Sequence, residues 1–197
     1  MTYLFISLVF GATLFQPLSE KLSGISYLAG SFTQIDYWAL TMDAEEVSGI
    51  MHLAQPNLFL LQYDDIENRA MGCNGEQVYT IDPEFMEVLV YSGAPNGFLH
   101  IISSINQEEA EIFSTEVNDS VTVIASGLFE GGLVEITAGY TKSDSLPFLF
   151  STKDSNGNTT SWIMSDFILQ ADIDIDISEM FSIPELEDYS LIDAGSL

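Results

Sequence analysis

From residue 47 onward the chain is a succession of short apolar segments separated by turn signals at close intervals. That rhythm constrains the fold more than any single motif, because it demands a many-stranded antiparallel sheet. Residues 47–54 and 57–64 form a first pair around Pro56-Asn57, and Asn74-Gly75 is a hairpin turn leading into 76–82. Asp82-Pro83 leads into 85–92, and further strands are expected at 111–117, 121–126, 133–141, 146–153, 159–170 and 172–177. Asn156-Gly157 marks another hairpin. About ten antiparallel strands imply a strongly curved or barrel-like sheet.

Two segments break the rhythm. Between Ser19 and Ile35 the apolar residues Leu22, Ile25, Leu28, Ala29, Phe32 and Ile35 follow steps of three and four, which predicts a helix. Ser19 suits its N-cap and Glu20 its positive end. Within Gly97 to Ile105, Phe98, Leu99, Ile101 and Ile102 predict a short, strongly apolar second helix. Two helices cannot cover both faces of so large a sheet, but they can plug the concave side of an incomplete barrel. The expected class is α+β, an unclosed antiparallel half-barrel capped by an N-terminal helix and a short mid-chain helix. No internal repeat or linker is visible, so a single domain over 17–197 is expected.

Charge excludes whole classes of partner. Thirty acidic residues stand against four basic ones, a formal net charge of −26. Lys21, Arg69, Lys142 and Lys153 are scattered, so no basic patch can neutralise a row of phosphates, and nucleic acid is excluded as a partner. Anionic membrane surfaces are disfavoured by repulsion. Low hydrophobicity would signal disorder, but the mean hydropathy is positive at +0.22, which fits a folded body with an acidic skin. Such a skin suits a saline habitat, where the Debye length falls to about 4 Å, or docking on a basic partner.

Cys73 is the sole cysteine, so no intrachain disulfide forms. No cysteine stands directly after the N-terminal segment, so a lipid anchor there is not expected. That segment, uncharged from Tyr3 to Phe15, is too short to span a bilayer and fits the apolar core of a signal peptide over 1–15. It has no preceding Lys or Arg, and its cleavage site is weak.

The order of motifs points further. The predicted helix closes on Phe32-Thr33-Gln34, a Gly-containing strand follows at Val47 to Ala54, and then comes Pro56-Asn57-Leu58-Phe59. Asn74-Gly75-Glu76-Gln77-Val78-Tyr79 with Asp82-Pro83, Pro95-Asn96-Gly97-Phe98-Leu99, Leu146-Pro147 and Phe181-Ser182-Ile183-Pro184 continue the series. From about residue 18 to the C-terminus this order resembles the LolA family, periplasmic carriers of outer-membrane lipoproteins. The resemblance implies an unclosed barrel capped by helices over an apolar cavity, with no catalysis and no cofactor. It implies as partners acylated lipoproteins, an inner-membrane lipoprotein-releasing ABC transporter and an outer-membrane receptor, with the carrier itself a monomer.

On that basis Leu22, Ile25, Phe32, Phe98, Leu99 and Ile102 are expected on the lid, and Phe59, Leu61, Tyr79, Ile81 and Trp162 on the sheet wall. Two positions depart from the family pattern. Gln55 stands where the family generally has an Arg that contacts the lid, and Leu61 replaces a frequent aromatic residue. A Gln at this position can still bridge to lid backbone groups, but without the charge and with fewer donors. The departure keeps open a related carrier of another lipid cargo, and an envelope-stress sensor with the same half-barrel is a further alternative.

Other constellations fall short. Asp172, Asp174 and Asp176 open like a calcium loop, but Ile177 and Ile183 occupy the positions that need Gly and Glu. His52 and His100 lack a second ligand at metal spacing. The sequence has no Gly-x-Ser-x-Gly elbow, His-Glu-x-x-His pair or Gly-rich phosphate loop.

Overall fold

The computed structural model describes residues 16–54, 58–92, 110–129, 132–170 and 177–196. It begins with α1 (Gln16–Ser23), in which Leu18 is wholly buried and Gln16 Nε2 donates to Glu20 Oε1 at 2.6 Å, one turn on. The helix expected to reach Ile35 ends at Ser23, and β1 (Tyr27–Trp38) follows. Ile25 thus lies between the two elements, and Leu28 and Phe32 belong to a strand. The physical reason lies in the side chains. Tyr27, Phe32, Thr33, Ile35, Tyr37 and Trp38 are aromatic or β-branched, and Leu28, Gly30 and Phe32 are buried alternately. Their period of two was hidden within a looser spacing of three and four. In the sheet β1 lies between two strands, so neighbouring ladders outweigh the local helical pattern.

The other strands are β2 (Asp43–Ala54), β3 (Leu58–Tyr63), β4 (Ala70–Asn74), β5 (Gln77–Asp82), β6 (Glu87–Ser92), β7 (Glu111–Val117), β8 (Ser120–Ser126), β9 (Leu133–Thr141), β10 (Pro147–Asp154), β11 (Thr159–Gln170) and β12 (Ser190–Ser196). They form one 12-stranded sheet in the order β12-β6-β5-β4-β3-β2-β1-β11-β10-β9-β8-β7. The two end strands are not paired with each other, so the sheet is unclosed. β12 joins β6 in parallel, whereas the hairpin pairs are antiparallel. Twelve strands replace the expected ten or so, and α1 is the single α-helix among the described residues. The mid-chain helix expected at Gly97 to Ile105 and most of the strand expected at 172–177 lie outside the described residues, as does the segment expected to be a signal peptide. Among the described residues no helix is long and apolar enough to cross a membrane.

The turns follow their side chains. Asn74 Oδ1 accepts from the backbone N–H groups of Glu76 and Gln77 at 3.0 and 2.9 Å, and Gly75 takes a φ of 95°. Asp154 Oδ1 likewise accepts from the N–H groups of Asn156 and Asn158 at 2.8 and 2.9 Å.

The residues divide into two compact units. One contains α1 as far as Leu22, Gln34–Glu46 and the strands from β7 to Met164 of β11. In β8 and β9 one face carries most of the burial. Val121, Val123 and Ala125 of β8 stand opposite Tyr140, Ala138 and Ile136 of β9, all with at most 5% exposure. Their sequence neighbours Thr122 and Thr137 point the other way. The second unit contains Ser23–Thr33, the chain from Val47 through β6, and Ser165 onward. Its β4 and β5 bury residues on both faces.

Candidate functional site

In the second unit the registers sort every side chain of β2 to β6 onto one of two faces, because directly paired residues share a face. On the first face Leu60 pairs with Gly72 and Gly72 with Tyr79, while Ala70 pairs with Ile81. Tyr79 and Ile81 in turn pair with Val90 and Val88 of β6. Phe181, from the 3-10 turn Ser178–Phe181, is fully buried in this cluster, and Ile177, Ile183, Leu186 and Tyr189 pack around it. The motif Phe181-Ser182-Ile183-Pro184 is therefore structural, since it seats the C-terminal segment on this face. Gly72 makes room for it. A Cβ there would lie 2.3 Å from Tyr79 Cζ, so only glycine lets the tyrosine ring lie across β4.

The second face is a different apolar surface. Phe59 pairs with Leu53 and Cys73, Leu61 with Met51 and Met71, and Cys73 with Val78. Met51, Cys73 and Val78 are buried, while Phe59 and Leu61 are half-buried. Buried Phe32 joins them, its ring meeting that of Tyr63 edge-on at 5.5 Å, over Gly49. Tyr63 in turn carries the Arg69 guanidinium 4.9 Å from its centroid. Among the residues expected to form one wall, Phe59 and Leu61 stand together, but Tyr79 and Ile81 face the opposite way, into the core closed by Phe181. A one-residue offset between neighbouring strands is invisible in the sequence, yet it decides the face.

Trp162 belongs to the first unit. It is half-buried, stacks on buried Phe150 at 5.8 Å between centroids, and donates from Nε1 to Gln34 Oε1 at 3.1 Å. Gln34 Nε2 donates to Asp36 Oδ2 at 2.6 Å, and Asp36 Oδ1 accepts from the Thr160 hydroxyl at 2.6 Å. The Gln of the Phe32-Thr33-Gln34 motif thus fixes the indole in place, a role its type alone did not reveal.

Of the expected lid set, the structure places Ile25 half-buried after α1 and Phe32 on the second face of the second unit. Phe98, Leu99, Ile102, Gln55 and the side chain of Leu22 lie outside the described residues. A cleft of about 440 Å³ borders α1, lined by Gln16, Pro17, Glu20, Lys21 and Ser145. It is open and largely polar, which does not suit a hydrocarbon chain.

Burial shifts Cys73, Tyr79 and His52, near these faces, toward their neutral forms. Burial raises the Cys73 thiol, outweighing the N–H of Gly75 that its sulfur accepts at 3.2 Å, and the thiol is fully shielded. Such a sulfur is a poor nucleophile. Burial pushes Tyr79 up to about 12, with the nearby Cys73 adding to the shift. Burial lowers His52, partly offset by its hydrogen bond with Gln62, and the ring's Nδ1 lies 2.7 Å from the Tyr27 hydroxyl. Among the described residues no three His, Cys, Asp or Glu side chains converge as a metal site. What these faces offer is apolar surface.

Known proteins place this arrangement. The sequence model described as outer membrane lipoprotein carrier protein LolA matches residues 23–177. An uncharacterized conserved protein from Thermus thermophilus shares the fold, with a TM-score of 0.59 at 10% identity over 92% of this chain and 98% of that one. A LolA superfamily protein from Nitrosomonas europaea aligns with a TM-score of 0.46 at 8% identity, covering 89% and 98%. A putative outer membrane lipoprotein-sorting protein domain from Vibrio parahaemolyticus aligns at 0.44 and 9% identity, covering 86% and 97%. No curated protein matches the chain by sequence.

Proposed function

This chain belongs to the LolA family, and on that footing we propose that it is a periplasmic carrier that shields the acyl chains of lipoproteins and passes them from the inner to the outer membrane. It acts by binding, without catalysis and without a cofactor. An inner-membrane lipoprotein-releasing ABC transporter would load it, and an outer-membrane receptor would take the cargo.

One observation carries the reading. The second unit presents two apolar faces, and the segment around Phe181 packs on one of them. The other, bearing half-buried Phe59 and Leu61 beside buried Met51 and Phe32, is the proposed surface for an acyl chain. Burial is worth about 0.8 kcal/mol per methylene, so a chain of about fifteen methylenes gains roughly 12 kcal/mol and does not cross water unaided. A carrier needs such a surface to be covered when empty. A displaceable cover makes loading and release a near-balanced exchange, which handover to an acceptor requires.

The test is retention of a fluorescent acyl probe during gel filtration. Phe59→Asp is expected to abolish retention, because a carboxylate in the apolar wall must be desolvated, while far-UV circular dichroism keeps its strand signal. Undiminished retention by the folded variant would sink the proposal. Gln55, in place of the family Arg, favours a second reading in which the cargo is another lipid. Native mass spectrometry of the protein purified from its own periplasm separates the two by the mass bound.

A further inference from the structure

Among the described residues, the most exposed pair of large apolar side chains on one short loop lies at the β1–β2 turn. Leu40 is 94% and Met42 77% exposed, and Trp38 and Tyr37 stand behind them at 41% and 36%. Exposure at a slack loop would mean little, but this turn is braced. The Met42 N–H donates to the Trp38 carbonyl at 2.8 Å, and the Ala39 N–H donates to Asn158 Oδ1 at 3.1 Å. Asn158 is itself held, its Nδ2 donating to Asp154 Oδ2 at 2.9 Å. Asp36, at the base of the hairpin, is fixed by Thr160 and Gln34. Two aromatics and two flexible apolar side chains on a rigid projection match the residue types that dominate interface hot spots.

Carboxylates collar this tip. Asp43, Glu45 and Glu46 follow directly and are exposed, and none of them pairs with a cation among the described residues. On a chain of net charge −26, the collar repels a second copy and an anionic lipid surface alike. It attracts a protein whose apolar recess is rimmed by Lys and Arg. We propose that the β1–β2 turn is a docking knob for such a basic protein partner, with Leu40 and Met42 entering the recess and Asp43, Glu45 and Glu46 meeting its rim. This inference does not rest on the carrier reading, since a chain that fails to retain acyl probe keeps the knob.

The experiment places p-benzoylphenylalanine at Leu40 of the full chain in its native cell and maps photocrosslinked peptides by mass spectrometry. The expected product joins position 40 to a peptide of another protein whose crosslinked site is flanked by Lys or Arg. Its yield should fall at least about tenfold with Met42→Asn, which keeps the positive φ of 60° accessible while removing the apolar side chain. It should also fall with Glu45→Gln and Glu46→Gln together, and with rising salt in purified components. Crosslinks to lipid, to a second copy, to a site without basic residues, or to nothing would each overturn the proposal. So would a yield that Met42→Asn leaves unchanged in a folded protein.

Discussion

The two units use strands of similar length in opposite ways. In the first, β8 alternates strictly, with Val121, Val123 and Ala125 buried and Thr122, Ile124 and Ser126 half-buried on the other face. In the second, β4 and β5 bury neighbouring residues, Gly72 beside Cys73 and Val78 beside Tyr79, so both faces are apolar. A sheet with two apolar faces needs two covers. The segment from Ile177 to Tyr189 supplies one of them. The face bearing Phe59 and Leu61 therefore needs a cover other than that segment, which suits the binding role proposed for it.

The largest effect should come from removing the cover. Phe181→Ala leaves a cavity between β3, β4 and the C-terminal segment and should cost about 3–5 kcal/mol. Ile136→Ala, at an equally buried site in the first unit, should cost about 2–5 kcal/mol. Hydrogen exchange distinguishes the units better than the midpoint does. Phe181→Ala should release protection in β3 to β6 first, and Ile136→Ala in β8 to β10 first. Uniform loss of protection in both variants would show the units to be a single cooperative body and break the comparison.

Gly72→Ala probes the same face with a smaller perturbation. The added methyl would meet the Tyr79 ring at 2.3 Å, so the ring must move into the layer occupied by Phe181. A loss of about 2–3 kcal/mol by urea denaturation is expected, in the range of overpacked cores. Gly72→Ala combined with Tyr79→Leu should recover part of it, because the clash is with the ring. Additive losses would place the strain elsewhere.

How much of this was legible in the sequence depends on which interaction sets each feature. The hairpins at Asn74-Gly75 and Asn156-Gly157 were legible because the turn residues carry their own hydrogen bonds. β1 was not, since its apolar residues satisfy both a period of two and steps of three and four, and strand neighbours far away in sequence decide between them. β4 is short and contains Gly72, whose purpose appears only when Tyr79 is laid over it. β12 ends in Asp193-Ala194-Gly195-Ser196, weak strand formers, and it pairs in parallel with a distant strand through an irregular register at Ala194. Among the candidate site residues, Phe59 and Leu61 share one face of the sheet. Tyr79 and Ile81 were assigned to that wall because apolar character in a two-sided strand does not say which way it points. Trp162 was recognisable as an aromatic of the sheet, but its partner Gln34 was not, because their contact spans 128 residues.

The smallest predicted effect concerns two core tyrosines, one per unit. Tyr79 is 1% exposed and pushed up to about 12 by burial. Tyr140 is 5% exposed and raised by burial and by the Glu116 carboxylate, with Lys142 opposing; Lys142 Nζ lies 2.9 Å from Glu116 Oε2. A tyrosine whose folded pKa exceeds its unfolded value of about 10 contributes stability that is complete below pH 10. That contribution is lost as pH rises through the folded value, which for Tyr79 means between about 10 and 12. Phenolate absorbance near 295 nm should therefore include a last ionising tyrosine that disappears in Tyr79→Phe. Tyr79→Phe should also flatten the fall in stability over that window, since phenylalanine has no proton to lose. If the late step persisted in Tyr79→Phe and vanished in Tyr140→Phe, the more tightly sealed core would be that of the first unit.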